Sequence, residues 1–269
     1  MISFRKYPGY LSFKILGFDF FIAKNKENKF RNRIFDLNKS LIYFPKRHQD
    51  LDTYYKALSE TNMLWTDNIY KQFRVLSFLQ LVRQAFKNNP NGTFMELGVW
   101  KGLSAYMMIK TIEDKGKTAR FILADSFEGG LSDKVSQDRN PLTNQSTQEI
   151  LREKKQFHST QEDLERSLMC FKSEIEIIPG WIPSSLVKMK FQSPISFIHF
   201  DMDLYEPTIE SLRFLWSNLL SNGIVVFDDY NSTQFPGVTK AVQEFILLKN
   251  DEIEIFYEVP FGSAFLVKK

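Results

Sequence analysis

Short apolar runs that stop at glycine, proline or an acid recur through most of this chain. The runs lie at Thr93–Leu97, Phe121–Asp125, Glu174–Ile178, Pro194–Phe200 and Ile224–Phe227. Each run predicts a strand: Glu174–Ile178 alternates acidic and apolar residues, whereas the composition of Ile224–Phe227 predicts burial on both faces of a sheet. Between them, apolar residues three and four positions apart predict amphipathic helices. We place these helices at Asp67–Lys87, Ser104–Glu113, Ser159–Phe171, Glu206–Leu220 and Thr239–Leu248.

The last two predicted strands, Ile253–Val259 and Ser263–Val267, are joined by the tight turn Pro260-Phe261-Gly262. A connection this short requires antiparallel strands, because a parallel pair needs a crossover of roughly a dozen residues. We therefore expect an α/β fold, a doubly wound, Rossmann-like, mostly parallel sheet of seven strands. The antiparallel strand of the C-terminal hairpin is expected at its edge.

Residues 1–60 lack this pattern, and we expect them to form an extension to an α/β domain of residues 61–269. Two short strands are predicted around Gly17. Residues 1–50 carry eleven Lys/Arg and four Asp/Glu, a net charge of +7. The aromatic and basic residues favour an arm that packs on the main domain or on a partner subunit in a homo-oligomer. The alternative is peripheral contact with an anionic membrane surface.

Composition narrows the class of protein. The chain has 269 residues, 43% of them hydrophobic and 25% charged, as in an ordinary globular protein. A net charge of +3 is too small to argue for a nucleic-acid partner. Cys170 is the single cysteine, so no intramolecular disulfide is possible. We expect a cytoplasmic protein, with the membrane inner face as the peripheral alternative, because neither a membrane span nor a signal peptide is evident.

The turn after the first predicted strand of the α/β domain reads Glu96-x-Gly98-x-x-x-Gly102, followed by Ser104 at the start of a helix. Strand, glycine turn and helix form the first unit of a nucleotide-binding fold. The Gly-x-Gly-x-x-Gly pattern that places a diphosphate on a helix is absent. A carboxylate at the strand end would repel a diphosphate but suits a cationic ligand. This favours S-adenosylmethionine over NAD, and hence a methyltransferase over an NAD-dependent oxidoreductase.

Acids follow four of the predicted strands, and ligands of open α/β sheets bind at such strand ends. Asp125 is placed to accept hydrogen bonds from ribose hydroxyls, with a loop-capping role as the alternative. Asp201, Asp228 and Asp229 could form an oxygen-ligand site for Mg²⁺. A metal there would lower the pKa of a substrate hydroxyl for attack on a methyl group. Asp203 is open as a further ligand, a helix cap or neither.

The remaining candidates carry weaker signals. His199 lies on the same strand face as Asp201. It could act as a base, as a partner of a metal ligand, or only as a buried core histidine. Gly180-Trp181 could offer an aromatic face to an adenine, although a loop tryptophan is more often packing. The long polar segment between Ser126 and His158 is expected to act as a lid. His158 could fold down with that lid, and His48 has no assigned role.

These residues resemble the macrocin-type O-methyltransferases, metal-dependent class I enzymes that methylate sugar hydroxyls. Five segments carry the resemblance: Phe94–Gly102, Ala124–Gly129, Asp201–Glu206, Gly223–Tyr230 and Gly237–Val242. It implies Mg²⁺ at Asp201, Asp228 and Asp229, with Asp201 also the base. It further implies S-adenosylmethionine contacts at Glu96, Gly98, Gly102, Asp125 and Ser126, and matches Arg74 to a family arginine. Leu103 and Ser184 depart from the family pattern.

The sequence thus predicts a Mg²⁺-dependent, S-adenosylmethionine-dependent O-methyltransferase that acts on a sugar, glycan precursor or glycosylated small molecule. Catalytic roles are expected for Asp201 and His199, and cofactor contacts also for Ser104, Gly180, Trp181 and Arg74. The alternative is a catalytically inactive binding or scaffold protein targeted by its basic extension. The crowded acids argue against it, since a retired site has no reason to keep them.

Overall fold

The computed structural model describes residues 49–132, 135–139, 157–189 and 193–269 in full and the backbone of three N-terminal strands. The strands are β1 Ser3–Tyr7, β2 Tyr10–Ile15, β3 Phe18–Ala23, β4 Thr93–Leu97, β5 Arg120–Asp125, β6 Glu174–Pro179, β7 Ile195–Phe200, β8 Leu219–Asp228, β9 Ile253–Val259 and β10 Ser263–Lys268. The helices are α1 Gln49–Glu60, α2 Ile69–Asn88, α3 Leu103–Glu113, α4 Gln161–Leu168, α5 Tyr205–Leu215 and α6 Pro236–Lys249.

Seven strands form one sheet in the order β6-β5-β4-β7-β8-β10-β9. Strands β4 to β8 are parallel, and β10 is antiparallel to both β8 and β9. The predicted fold class is confirmed. The reversed strand is not at the edge, however, because β10 pairs between β8 and β9 and leaves β9 outermost. Either strand of the C-terminal hairpin could pair with β8, and local sequence does not specify which one does.

Helices cover both faces of this sheet. On one face α1, α2, α3 and α4 pack on alternate strand residues such as Phe94 and Phe197. On the other face α5 and α6 pack on the intervening residues, including Met95 and Phe200. Both faces of the central strands are therefore buried, which accounts for their continuous apolar runs.

Helix α1 belongs to this core. Tyr54 and Leu58 on α1 are fully buried, at 0% exposure, among residues of α2 and α3. Residues 49–60 thus pack in the same core as α2 and α3, and the division of the chain at residue 60 stays a prediction. The missed signal is the spacing of Leu51, Tyr54 and Leu58, which is helical but falls inside a charged segment.

The N-terminal strands form a separate three-stranded antiparallel sheet in the order β1-β2-β3. The pairing of β2 with β3 confirms the two predicted strands around Gly17. Gly17 itself, His48 and the charged run after β3 lie outside the described residues. The contact of this extension with a partner subunit or a membrane stays a prediction. None of the described helices has the length and apolarity to cross a membrane.

Two helix ends differ from the predictions. Helix α5 stops at Leu215 rather than near Leu220, and β8 starts at Leu219. The Lys268 ammonium donates to the carbonyl oxygens of Trp216 and Leu219, at 2.8 and 2.9 Å, so those carbonyls turn towards β10. Helix α4 ends at Leu168, and its cap is Thr160, whose hydroxyl accepts from the Asp163 backbone N–H at 3.1 Å.

Candidate functional site

A cavity of about 810 Å³ opens at the carboxyl ends of β4, β5, β7 and β8. Each of these strand ends contributes a lining residue: Gly98, Asp125, Asp201 and Asp228. Helix α2 closes one side with Lys71, Arg74, Val75 and Phe78. The structure thus brings the residues singled out from β4, β5, β7 and β8 around one space, at the position expected for ligands of an open α/β sheet.

Both glycines of the turn after β4 have left-handed backbone torsions, with φ of 85° at Gly98 and 82° at Gly102. A Cβ on Gly98 would lie 2.1 Å from the Asp201 carbonyl oxygen. A Cβ on Gly102 would lie 2.4 Å from the Leu164 side chain. Gly98 lines the cavity, whereas Gly102 begins α3 and packs against α4. The two glycines thus allow close contacts within the protein: Gly98 with the end of β7, and Gly102 with α4.

Asp125 ties two loops of the cavity together. Its Oδ2 accepts from the Trp100 backbone N–H at 2.7 Å, and its Oδ1 accepts from the Phe127 backbone N–H at 2.9 Å. Both donor residues, Trp100 and Phe127, have left-handed backbone torsions, with φ of 48° and 57°. The alternative of a loop-capping role is therefore realised. Because Asp125 also lines the cavity, each oxygen retains a lone pair that a ligand hydroxyl could use.

Two further candidates lie beside Asp125. Ser126 lines the cavity, and its hydroxyl accepts from the Glu128 backbone N–H at 3.2 Å. Trp181 also lines the cavity, with its indole N–H donating to Glu128 at 2.9 Å. Gly180 is not a lining residue, and its N–H donates to the Asp125 carbonyl at 2.9 Å. Ser126 and Trp181 are thus placed to contact a ligand, whereas Gly180 makes a backbone hydrogen bond to the end of β5.

Glu96 was predicted to contact the cofactor, but its side chain lies behind the cavity wall. Its side chain is fully buried and is not among the residues that line the cavity. Its Oε1 accepts from the Ser104 hydroxyl and lies 3.0 Å from His199 Nδ1. Ser104 and His199 both line the cavity, so Glu96 reaches it through two other side chains.

Three acids form the carboxylate cluster of the cavity. Oxygens of Asp201, Asp203 and Asp229 lie within 4.8 Å of one another. Asp228, expected as a ligand, instead forms an ion pair with Arg74. Arg74, expected at the cofactor, is thereby held at the acids, and its guanidinium also donates to the Gly262 carbonyl at 3.3 Å. The structure therefore groups Asp203, rather than Asp228, with the other two predicted ligands.

Crowding and burial change the acidity of this cluster. Burial raises the pKa of Asp201 well above its usual value, and the charge of Asp228 raises it further. Burial likewise raises the pKa of Asp203, with Asp229 as the next cause. Burial and the neighbouring Asp228 raise the pKa of Asp229 to about 6. Without a cation the three carboxylates repel one another, so a positive ion or protons would stabilise them.

His199 sits at the boundary between this cluster and the glycine turn. Its ring is 5% exposed and packs against Phe78, with 4.8 Å between ring centroids. Burial lowers the pKa of His199, but its hydrogen bond to Glu96 and the nearby acids raise it, and the net direction is upward. His158, by contrast, is exposed, lies beside Gly129 and does not line the cavity. The predicted lid falls mostly on residues 133–134 and 140–156, outside the described part.

Sequence reasoning did not identify several lining residues. Lys71 precedes Arg74 by one helical turn, and burial lowers the pKa of its amine. Trp65 and Trp100 also line the cavity, with rings 6.1 Å apart in an edge-to-face arrangement. The signal for Lys71 was present, because its spacing places Lys71 on the same helix face as Arg74 and the buried Val75 and Phe78. For Trp65 the local sequence carries no such signal.

Comparison with known proteins gives consistent matches. A family model described as macrocin-O-methyltransferase (TylF) matches residues 26–255. Demethyldecarbamoylnovobiocin O-methyltransferase of Streptomyces niveus is 24% identical over 212 residues, 74% of this chain and 75% of that protein. The 8-demethyl-8-(2,3-dimethoxy-α-L-rhamnosyl)-tetracenomycin-C 4′-O-methyltransferase of Streptomyces olivaceus is 30% identical over 143 residues, 52% of this chain and 53% of that protein.

Solved structures agree on the fold. The O-methyltransferase NovP has a TM-score of 0.63 at 20% identity, covering 80% of this chain and 88% of its own. The calicheamicin methyltransferase CalS11 has a TM-score of 0.56 at 18% identity, covering 91% and 99% respectively. At such identities the likeness establishes the architecture, and the chemistry must be argued from the cavity.

Proposed function

The chain belongs to the macrocin-O-methyltransferase (TylF) family, and from that membership we propose that it methylates a sugar hydroxyl with S-adenosylmethionine, aided by Mg²⁺. The observation that carries the proposal is a single cavity that holds both halves of such a site. Gly98, Ser104 and Asp125 line the same cavity as the cluster of Asp201, Asp203 and Asp229. As a member of a family of O-methyltransferases, the chain is an enzyme rather than a scaffold.

The charge of the cavity supports a cationic methyl donor. Four acids of β7 and β8 face it, Asp201, Asp203, Asp228 and Asp229, against the cations of Lys71 and Arg74. A sulfonium carries a positive charge at the reacting centre, which this surplus of carboxylates would attract. We propose that Asp125 and Ser126 bind the nucleoside, with Trp181 beside its base and Gly98 and Ser104 beside the amino-acid part.

The three-acid cluster fits a hard divalent cation. Carboxylate oxygens are the ligands that Mg²⁺ prefers, and Asp201, Asp203 and Asp229 each offer one within 4.8 Å of the others. A bound metal ion would lower the pKa of a hydroxyl beside it. In this arrangement Asp228 is not a ligand but holds Arg74 at the edge of the cluster.

The proposed reaction is a direct displacement. The acceptor hydroxyl oxygen forms a bond to the methyl carbon as the carbon–sulfur bond breaks, and the hydroxyl proton passes to a base of the cavity. Asp201 is the proposed base, because its carboxylate belongs to the acidic cluster that lines the cavity, beside the position proposed for the acceptor hydroxyl. His199, two residues earlier on β7, is the proposed partner that binds a neighbouring hydroxyl of the sugar.

The sugar acceptor is supported by the relatives. The name of the Streptomyces olivaceus enzyme places its methylation on a rhamnosyl-bearing substrate, at 30% identity over about half of this chain. Aromatic residues at the cavity, Trp65, Trp100 and Phe157, provide faces on which a sugar ring can pack. We therefore propose a free, nucleotide-linked or aglycone-linked sugar as the acceptor class.

Calorimetric titration of S-adenosylmethionine into the purified protein, with and without Mg²⁺, tests this function. Saturable binding followed by methyl transfer to members of a sugar panel is the expected result. No binding under either condition would overturn the methyltransferase proposal. Full activity after treatment with EDTA would overturn the Mg²⁺ role alone.

A further inference from the structure

The buried Glu96–His199 pair is the strongest feature that the proposed function does not use. The two residues are directly opposite on the neighbouring parallel strands β4 and β7. The Oε1 atom of Glu96 is 3.0 Å from His199 Nδ1 and also accepts from the Ser104 hydroxyl. Glu96 is 0% exposed and His199 is 5% exposed. One carboxylate oxygen therefore connects the donor side of the cavity, at Ser104, with the acceptor side, at His199.

We propose that Glu96 is a positioning residue that orients His199 and Ser104, rather than a direct ligand of the methyl donor. The proposal rests on the methyltransferase function above. It reverses the role expected from the Glu-x-Gly-x-x-x-Gly pattern, in which the carboxylate contacts the cofactor. The reason is geometric, because both partners of Glu96 line the cavity and Glu96 does not.

The hydrogen-bond chemistry determines which ring nitrogen is left for a ligand. A carboxylate only accepts hydrogen bonds, so the pairing requires the hydrogen on Nδ1 of His199. Nε2 of a neutral ring is then an acceptor, available to the cavity. Phe78 packs on the imidazole at 4.8 Å and restricts its rotation. A neighbouring hydroxyl of the acceptor sugar donates to Nε2, which leaves the proton of the reacting hydroxyl for Asp201.

Glu96 Oε2 provides the competing explanation. It is buried and has no hydrogen-bond partner among the described residues. If the methyl donor reached this oxygen, Glu96 would be a direct ligand, through an amine or hydroxyl. Glutamine separates the two roles because it has the same shape. Its carbonyl oxygen can replace Oε1 and accept from both His199 and Ser104, while its NH₂ group replaces Oε2 and can only donate.

The experiment compares Glu96→Gln and Glu96→Ala with the wild type, using Glu176→Gln as the control. Glu176 lies on the outermost parallel strand, β6, pairs with Arg120 and does not line the cavity. For Glu96→Ala we expect kcat to fall on the order of 10²-fold, the effect of misplacing a reacting group by about 1 Å. The Kd of S-adenosylmethionine stays within threefold. For Glu96→Gln we expect a kcat at least tenfold higher than that of Glu96→Ala. For the Glu176→Gln control we expect the wild-type kcat and Kd.

A Kd for S-adenosylmethionine raised tenfold or more in Glu96→Gln would make Glu96 a direct ligand and overturn the proposal. Wild-type kcat in a folded Glu96→Ala would also overturn it. If Glu96→Ala does not fold, the Kd and kcat of Glu96→Gln still decide. Failure of the wild type to bind S-adenosylmethionine would instead refute the methyltransferase function, so the two failures are distinguishable.

The histidine tautomer gives a readout that does not depend on activity. The chain has three histidines, so ¹⁵N-histidine NMR gives a spectrum in which a His199→Gln variant identifies the His199 signals. In the wild type at pH 8.5 we expect the Nδ1–H tautomer. In Glu96→Ala we expect a shift towards the Nε2–H form. A wild-type Nε2–H tautomer would contradict the proposed orientation.

Discussion

Left-handed backbone torsions mark the residues that follow four strands of the cavity. The φ angles are 48° at Trp100, 57° at Phe127, 67° at Asp203 and 58° at Asp229. Each costs roughly 1 kcal/mol or more in a residue other than glycine. Asp125 offsets the cost at Trp100 and Phe127 by two hydrogen bonds. Asp203 and Asp229 also belong to the three-acid cluster, so strain and like charges both oppose folding there, which supports the proposal of a cation site.

Gly98 should tolerate no side chain. Gly98→Ala would bring a Cβ to 2.1 Å from the Asp201 carbonyl oxygen at a φ of 85°. We expect a loss of roughly 2–4 kcal/mol of stability and of most activity, because β7 must move at Asp201. Gly116→Ala is the matched control, since Gly116 has a φ of 68° and nothing within 4 Å of the added Cβ. It should lose about 1 kcal/mol. Equal losses in urea unfolding would contradict this reading of Gly98.

The neighbours Asp228 and Asp229 should respond differently to the same substitution. Asp229→Asn removes a member of the three-acid cluster, so Mg²⁺ affinity should fall at least tenfold. Asp228→Asn leaves that cluster intact but releases the half-buried Arg74 guanidinium. It should lose about 1–3 kcal/mol of stability while keeping Mg²⁺ binding within threefold. Calorimetry with MgCl₂ and thermal unfolding measure both. Loss of Mg²⁺ binding in Asp228→Asn would restore Asp228 as a ligand.

At the scale of elements, the site depends on connections between strand ends and the loops that follow them. Asp125 at the end of β5 holds the β4–α3 turn through Trp100, and Arg74 of α2 holds the end of β8 through Asp228. These contacts cross from one structural unit to another. The cavity is thus assembled by the sheet as a whole and not by any single strand–turn–helix unit.

The Asp125 connection can be tested by removing one or both acceptors. Asp125→Ala leaves the N–H groups of Trp100 and Phe127 without their partner, and we expect a stability loss of about 3 kcal/mol. Asp125→Asn keeps one acceptor oxygen and should lose about half as much. The Kd of S-adenosylmethionine should rise in the same order. Unchanged unfolding in both variants would show that the loops do not depend on Asp125.

At the scale of the whole molecule, the acidic cluster couples pH, cation and stability. Burial and the neighbouring Asp228 raise the pKa of Asp229 in the folded state to about 6, from an ordinary value of 3.8. A raised carboxyl pKa means that the folded state binds the proton more tightly than the unfolded state. The contribution of Asp229 to the stability of the metal-free protein therefore falls as pH rises from 3.8 to about 6. Above this range, a bound cation should replace the missing protons.

Mg²⁺ should accordingly stabilise the protein in a pH-dependent manner. At pH 7.5 and 100-fold excess over Kd, we expect the Tm to rise by about 5 °C. At pH 5 the shift should fall below half of that, because protons compete for the same carboxylates. Scanning calorimetry of the wild type measures both shifts, and Asp229→Asn should show little shift at either pH. A shift independent of pH would place the cation elsewhere.

Much of this protein was determined by sequence alone. Short apolar runs predicted the strands of the large sheet, because burial in a sheet leaves a local pattern. Apolar residues repeating every 3.6 positions predicted most of the helices. The acids at strand ends were likewise predictable, since parallel strands deliver their carboxyl ends to one edge. The resemblance carried by five segments was confirmed by the family match over residues 26–255.

Only the tertiary structure decided which of these residues work together. From sequence, the roles of Glu96, Asp203, Asp228 and Arg74 were inferred from their positions in motifs. In the structure, each of these residues has a side-chain partner that is distant in the sequence. Arg74 pairs with Asp228, whereas Asp203 groups with Asp201 and Asp229. Glu96 faces His199 rather than the cavity. Such pairings arise from sheet register and helix placement, which are set by packing of the whole chain and leave no mark in local sequence.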